Sequence, residues 1–164
     1  MKQDAVDEIL GQWQRERPDL DASSMGLLGR MARLAKHLDR SIHATVSGFG
    51  LNPGEFDVLA TLRRSGFPYQ LSPTDLFNAL MVSSGTMTHR IDQLERAKWV
   101  KRVPDPNDRR GILIALTDDG LDLIEQAIEA HVANGHELLG ALKESERETL
   151  MRLLRKLLLS FEQN

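Results

Sequence analysis

The spacing of apolar side chains along this chain predicts a mainly helical fold. Leucine and isoleucine recur three and four positions apart over long stretches, which is the repeat of a helix with one buried face. Several stretches begin with residues suited to capping, such as Asn52 before Pro53 and Ser72 before Pro73. The predicted helices lie near 4–15, 23–48, 53–65, 73–80, 83–97, 117–139 and 145–162. For the last of these helices, Ser145 and Glu148 would form the capping box.

Two shorter apolar stretches, 99–103 and 111–116, have the length and flanking turn residues of strands. The polar segment between them, Asp105–Gly111, contains two adjacent arginines. Two helices and an arginine-tipped hairpin therefore follow one another directly. That order predicts a winged helix-turn-helix, in which a helix enters the major groove of DNA and arginine enters the minor groove.

The helices near the two ends of the chain carry apolar stripes that a small domain does not need for its own core. The stripe on helix 145–162 consists of Leu150, Leu153, Leu154, Leu157, Leu158 and Phe161. An intramolecular helical hairpin would cover this stripe, and so would a second copy of the chain. The second arrangement is favoured because DNA-binding proteins of this shape usually contact two half-sites. We expect one unit over residues 1–164, with the winged helix-turn-helix at 53–116 and dimerisation helices at 1–48 and 117–164.

Composition changes this picture little. The absence of cysteine excludes disulfides and thiolate metal sites, and no apolar segment is long enough to span a bilayer, so a soluble cytoplasmic protein is expected. The formal net charge of −3 is unusual for a protein that binds DNA. However, residues 86–114 contain seven Lys/Arg against four Asp/Glu, whereas residues 117–164 contain five against ten. Positive charge is therefore concentrated in the predicted DNA-binding region, where it affects phosphate affinity most.

The start of helix 83–97 offers hydroxyls, a glycine and an imidazole, which suit contact with phosphates and base edges. These candidate DNA-binding residues are Ser83, Ser84, Gly85, Thr86, Thr88 and His89. At the wing, Arg110 is expected to enter the minor groove, with Asp108 orienting it through an ion pair and Arg109 near the DNA backbone. The alternatives are that the helix residues serve only as a cap and that the wing tip is an ordinary solvated turn.

These motifs resemble the MarR family of bacterial transcription regulators. The matching segments are Leu71–Leu76, Ser83–Glu95 and Asp105–Gly120, and the resemblance extends over nearly the whole chain. Membership would imply a winged-helix homodimer that binds pseudo-palindromic promoter DNA. It would also imply release from DNA by a small ligand and dimerisation through the terminal helices.

Two further segments, Trp13–Asp21 and Gly54–Arg64, are similar to the urate-responsive, PecS-like branch of that family. The resemblance implies a ligand site formed by Trp13, Asp57, Arg90 and Arg102. Guanidinium groups and an indole N–H would suit a planar anion such as urate, xanthine or another purine. The same residues also have plainer interpretations, namely a core tryptophan, a structural Asp57–Arg90 ion pair and an arginine that contacts phosphate.

Other classes of protein fit the sequence less well. No nucleophile elbow, phosphate-binding loop or paired-histidine zinc motif is present, so neither an enzyme nor a cofactor is expected. A metal sensor is disfavoured because His131 and His136 are five positions apart and diverge around a helix. A helical protein-interaction module without DNA binding would explain the terminal helices but not the arginine-tipped hairpin.

Overall fold

The computed structural model describes residues 2–80 and 83–162, apart from the side chain of Ser84. The helices are α1 (Ala5–Glu16), α2 (Ser23–Ser47), α3 (Pro53–Arg64), α4 (Pro73–Leu80), α5 (Ser84–Arg96), α6 (Asp118–Leu138) and α7 (Glu144–Glu162). The strands are β1 (Gln70–Leu71), β2 (Val100–Asp105) and β3 (Asp108–Leu116). The chain divides into two compact units, Met1–His43 and Ala44–Asn164. The predicted fold class, mainly α with a small β wing, is confirmed.

In the first unit, α1 begins at an acidic cap. The Asp4 carboxylate accepts hydrogen bonds from the backbone N–H groups of Val6 and Asp7, at 2.8 and 3.0 Å. Arg30 of α2 donates from Nε to Asp4 at 2.8 Å and from Nη2 to Asp7 at 2.6 Å. The cap of α1 is therefore also the point at which α2 is joined to it, and the adjacent Val6 is buried.

In the second unit, α3 begins with the cap that the sequence predicts. The Asn52 side chain accepts from the backbone N–H of Glu55, and the Glu55 carboxylate accepts from the backbone N–H of Asn52, both at 2.9 Å. At the other end of α3, Arg63 forms an ion pair with Glu125 of α6. The core between these helices and the sheet includes the fully buried residues Val58, Leu59, Leu62, Leu76, Leu94, Ile114 and Ile124.

The three described strands form an antiparallel sheet in the order β1-β3-β2. The pairing of Gln70 with Ala115 defines β1, which was not predicted because two residues are too few to produce an alternating pattern. The hairpin of β2 and β3 is longer than the predicted strands 99–103 and 111–116. Its pairing continues to Asp105 opposite Asp108, where polar side chains conceal the strand from a hydrophobicity pattern.

The turn after α5 fixes the start of α6. Lys98 adopts a left-handed φ of 64°, and the N–H of Trp99 donates to the carbonyl of Leu94 at 3.0 Å, which ends the helix in a Schellman turn. The Thr117 hydroxyl donates to the Lys98 carbonyl at 2.7 Å. A Cβ on Gly120 would lie 1.9 Å from the Trp99 carbonyl oxygen, so only glycine permits this backbone approach.

The last helix begins one residue earlier than predicted, and its expected cap is wrong. Instead of Ser145 pairing with Glu148, the backbone N–H of Lys143 donates to the Glu146 carboxylate at 2.8 Å. The helix can begin here because an acidic side chain at its third position satisfies a free N–H as well as a serine cap would.

The apolar stripe of α7 is present as a continuous exposed surface. No described residue of α7 is buried, and exposure of the stripe runs from 36% at Leu150 to 71% at Phe161. The alternative of an intramolecular hairpin that covers the stripe is therefore not what the chain adopts. Within residues 2–80 and 83–162, no helix combines the length and apolarity that crossing a membrane requires.

Candidate nucleic-acid interface and effector site

The first helix of the predicted helix-turn-helix, α4, is anchored by its cap and by one buried leucine. The Ser72 hydroxyl accepts from the backbone N–H of Asp75 at 3.1 Å and donates to the Asp75 carboxylate at 2.7 Å. Leu76 in the next position is completely buried. Leu76 thereby fixes the helix to the core, and the helix contacts α5.

The second helix, α5, buries one face and exposes another. Met87, Ile91 and Leu94 are spaced four and three apart and are almost completely buried. The Ser83 side chain caps the helix by accepting from the backbone N–H of Thr86 at 3.2 Å. The described DNA-contact candidates lie at the surface, namely Ser83, Gly85, Thr86, Thr88 and His89. The remaining candidate, the side chain of Ser84, lies outside the part of the chain that is described.

The wing tip holds its arginines differently from the sequence expectation. Asp108 accepts a hydrogen bond from the backbone N–H of Arg110 at 2.9 Å, and Asp105 accepts from the backbone N–H of Asn107 at 2.8 Å. The expected Asp108–Arg110 ion pair is absent from the ion pairs of the described residues, so Asp108 shapes the turn and does not orient the guanidinium. The side chains of Arg109 and Arg110 are exposed.

Arg90 lies on a different part of α5 from the exposed candidates and is half-buried against α3. A Cβ on the buried Gly54 would lie 2.5 Å from both Cζ and Nε of Arg90. The guanidinium therefore occupies the space that any larger residue at the start of α3 would take. Asp57, one helical turn further along α3, is close enough for the charge of Arg90 to lower its pKa.

The net effect on Asp57 is nevertheless a raised pKa. Asp57 keeps contact with solvent, but the protein around it disfavours the charged carboxylate, and this desolvation raises its pKa more than Arg90 lowers it. The neighbouring His131 of α6 also acts to lower the pKa of Asp57, by less than Arg90 does. The His131 ring lies 5.0 Å from that of Phe56, and its Nδ1 is buried without a hydrogen-bond partner. Sequence reasoning did not place His131 at this site, since nothing in the local pattern links it to Asp57.

Arg102, the other predicted ligand-binding arginine, contacts a separate pair of residues. Its Nη2 donates to Asp92 at 2.6 Å, and its Nη1 contacts Glu95. These contacts raise the pKa of Arg102, with the hydrogen bond to Asp92 as the largest cause. The structure thus places Asp57 within electrostatic range of Arg90, although this pair is not among the ion pairs of the described residues, while Arg102 joins β2 to α5.

Trp13, the fourth predicted ligand residue, belongs to α1 in the first unit. Its side chain is 39% exposed, so it is not a core residue of that unit. Its carbonyl accepts the backbone N–H of Arg17 at 2.8 Å, and the helix ends before Arg17, whose backbone is no longer helical. Among the described residues of both units, no three histidine, aspartate or glutamate side chains are grouped as metal ligands would be.

An exposed, polar helix start followed by an arginine-tipped β hairpin defines a winged-helix DNA-binding protein. A family model described as the MarR family matches residues 51–112. The HTH-type transcriptional regulator PecS of Dickeya dadantii (strain 3937) is 44% identical over 149 residues, covering 91% of this chain and 90% of that protein. The chain belongs to the MarR family of DNA-binding transcription regulators, as its motifs predict.

Solved structures agree with this assignment. A mutant MarR from E. coli, solved in complex with operator DNA, is 30% identical with a TM-score of 0.71, covering 89% of this chain and 97% of that one. AbsC, a MarR family transcriptional regulator from Streptomyces coelicolor, has the same fold, with 22% identity and a TM-score of 0.79 over 88% of this chain and 98% of that one. These relatives are transcription regulators and not enzymes.

Proposed function

We propose that this chain is a dimeric, cytoplasmic transcriptional repressor that binds promoter DNA and is released from it by a small aromatic anion such as urate. One observation carries the proposal. The helix that presents Thr86, Thr88 and His89 at the surface also holds Arg90 against Gly54 and the Asp57 region of α3. A ligand that changes the surroundings of Arg90 therefore acts on the DNA-contacting helix itself.

An anion that binds beside Asp57 and Arg90 would act on the two side chains in opposite ways. The anion pairs with the guanidinium of Arg90 and repels the Asp57 carboxylate, whose charged form is already disfavoured by desolvation. In this proposal Trp13 and Arg102 complete the site, as the resemblance to the urate-responsive branch implies. The ligand releases DNA to the extent that it binds the displaced arrangement of α5 more tightly than the DNA-bound one.

DNA recognition is assigned to the start of α5 and the wing. Ser83, Ser84 and Gly85 would bring the helix N-terminus close to phosphates, while Thr86, Thr88 and His89 face base edges. Arg110 would enter the minor groove beside Arg109, with Asp108 holding the turn. The half-sites on pseudo-palindromic DNA would require two copies of these elements.

A second copy of the chain is the proposed cover for α7. The stripe that includes Leu154 and Leu157 is exposed along a helix with no buried residue, which is unfavourable for a surface that remains in water. Light scattering after size-exclusion chromatography is expected to give twice the mass of the 164-residue chain. Leu154→Glu with Leu157→Glu is expected to shift the mass to the monomer, and an unchanged mass would exclude α7 from the interface.

The test of function is fluorescence anisotropy on labelled DNA from upstream of the gene, with and without millimolar urate. Competitor-resistant binding that urate weakens is expected. Arg110→Ala should weaken DNA binding roughly tenfold, and Arg90→Ala should weaken urate binding. Arg152→Ala is the matched control, since Arg152 lies on α7 outside the apolar stripe. DNA binding that ignores urate would retain the regulator and exclude this effector, leaving other purines, phenolic compounds or metals.

A further inference from the structure

The ion bridge at Arg102 connects the two elements that would contact DNA. Arg102 lies on β2 at the base of the wing, whereas Asp92 and Glu95 lie on α5. Both terminal nitrogens of the guanidinium are engaged, Nη2 with Asp92 at 2.6 Å and Nη1 with Glu95. The fork of Arg102 is therefore used by two carboxylates of the same chain before any ligand arrives.

The bridge lies on a side of α5 that is turned away from Arg90. At 3.6 residues per turn, Asp92 lies about 200° and Glu95 about 140° around the helix from Arg90. Arg90 contacts α3, and Asp92 and Glu95 contact β2. A ligand that uses both arginines therefore has to draw Arg102 away from its two carboxylates.

We propose that Asp92 and Glu95 are built-in competitors of the effector anion for Arg102. This inference rests on the proposed function, in which Arg102 is a ligand-binding residue. An anion that binds the outer edge of a guanidinium through parallel N–H···O contacts needs both terminal nitrogens, and these are the two that Asp92 and Glu95 engage. Effector binding and the bridge between α5 and the wing are then mutually exclusive.

The competition gives the effector a second route to the DNA-contacting surface. With the bridge intact, β2 and α5 are tied by two charged contacts at the base of the wing. When the effector takes Arg102, this tie is lost and the wing is no longer held to the helix at that point. By linkage, DNA that favours the bridged arrangement weakens effector binding by the same factor as the effector weakens DNA binding.

The first experiment measures urate affinity by calorimetry in the absence of DNA. The double variant Asp92→Asn, Glu95→Gln removes both competing charges with little change in shape. Since each bridge is partly exposed, two such pairs correspond to a gain in urate affinity of about fivefold. The charge-matched control is Asp122→Asn with Glu129→Gln on the exposed surface of α6, for which an unchanged affinity is expected.

The second experiment repeats the substitutions in an Arg102→Ala background. There the double variant should no longer alter urate affinity, because the guanidinium for which the acids compete is gone. An equal gain without Arg102 would show a general charge effect and overturn the inference, as would an unchanged affinity when Arg102 is present. If the double variant fails to show a folded thermal transition, the single substitutions Asp92→Asn and Glu95→Gln are used, each with a smaller expected gain.

These outcomes are distinguishable from failure of the proposed function. If the unaltered protein binds no urate at all, the proposed effector is wrong and the inference fails with it. If the unaltered protein binds urate but neither Arg102→Ala nor the double variant changes the affinity, the effector is retained and the competition alone is excluded. In that case Arg102 serves only to hold the wing on α5.

Discussion

The substitution Gly54→Ala tests how Arg90 is held beside Asp57. The new Cβ would lie 2.5 Å from Cζ and Nε of Arg90 and 2.7 Å from Nη2. Carbon atoms in ordinary contact are about 3.5–4.0 Å apart, so the guanidinium has to withdraw by roughly 1 Å. The clash involves the end of a flexible side chain and not the backbone, so α3 and α5 are expected to stay in place.

The displacement changes the pKa of Asp57 in a defined direction. The attraction between opposite charges falls as their separation grows, so a withdrawn Arg90 guanidinium lowers the pKa of Asp57 by less than it does in the unaltered protein. Because Asp57 retains contact with solvent, screening limits the size of this change. The pKa of Asp57, already raised by desolvation, should therefore rise further, since the opposing charge of Arg90 is weaker.

A pH titration followed by carboxyl carbon NMR measures this pKa directly. The control is Gly135→Ala, since a Cβ at Gly135 meets nothing within 4 Å. A rise in the pKa of Asp57 in the first variant alone is expected, together with weaker urate binding. Unchanged Asp57 titration and unchanged Arg90 side-chain resonances would refute the conclusion that Gly54 makes room for Arg90.

Three further predictions concern stability in urea unfolding. Because desolvation raises the folded-state pKa of Asp57 above 3.8, its contribution to stability is lost as the pH rises through that folded pKa, so Asp57→Asn should raise the free energy of unfolding at pH 7. Gly120→Ala should lower it by about 2–3 kcal/mol, because the Cβ meets the Trp99 carbonyl oxygen at 1.9 Å. Lys98→Gly should raise it by about 0.5–1 kcal/mol, because φ is 64° at Lys98.

For each of these three substitutions, a specific result would contradict the reasoning or a specific variant serves as the control. Equal stability changes for Asp57→Asn at pH 3 and pH 7 would mean that its carboxylate is not disfavoured in the folded state. A fully stable Gly120→Ala would contradict the close approach of α6 to Trp99. Lys98→Ala serves as the comparison for Lys98→Gly, since alanine removes the same side chain without relieving the left-handed backbone.

Helix starts were predictable because capping is local chemistry. Asn52, Ser72, Ser83 and Thr117 all accept hydrogen bonds from the first turns of their helices. The start of α7 was missed because the sequence offers two possible capping pairs with the same spacing, Ser145 with Glu148 and Lys143 with Glu146. The structure uses the earlier pair. The short β1 exists only because β3 lies next to it, so its neighbours in sequence carry no signal for it.

The candidate site was predictable as a set of residue types but not as a set of contacts. Resemblance selected Asp57, Arg90 and Arg102, yet the partners of Arg102 lie seven and ten positions away on another element. His131 approaches Asp57 only because α6 packs against α3. Such pairings depend on how elements cross in space, and the periodicity within each element does not contain that information.

The contact between Gly120 and Trp99 has a consequence for how this regulator could acquire new signals. Because Gly120 packs directly on the backbone of Trp99, no flexible side chain lies between them that could absorb a displacement. A shift of the start of α6 therefore also shifts the turn after α5. The contact between Gly120 and Trp99 transmits a displacement of α6, and it does so regardless of which ligand caused that displacement. A ligand site acquired elsewhere on α6 would therefore act through the same contact whatever ligand it held, so the ligand could change over evolution while the effect on the DNA-contacting helix stayed the same.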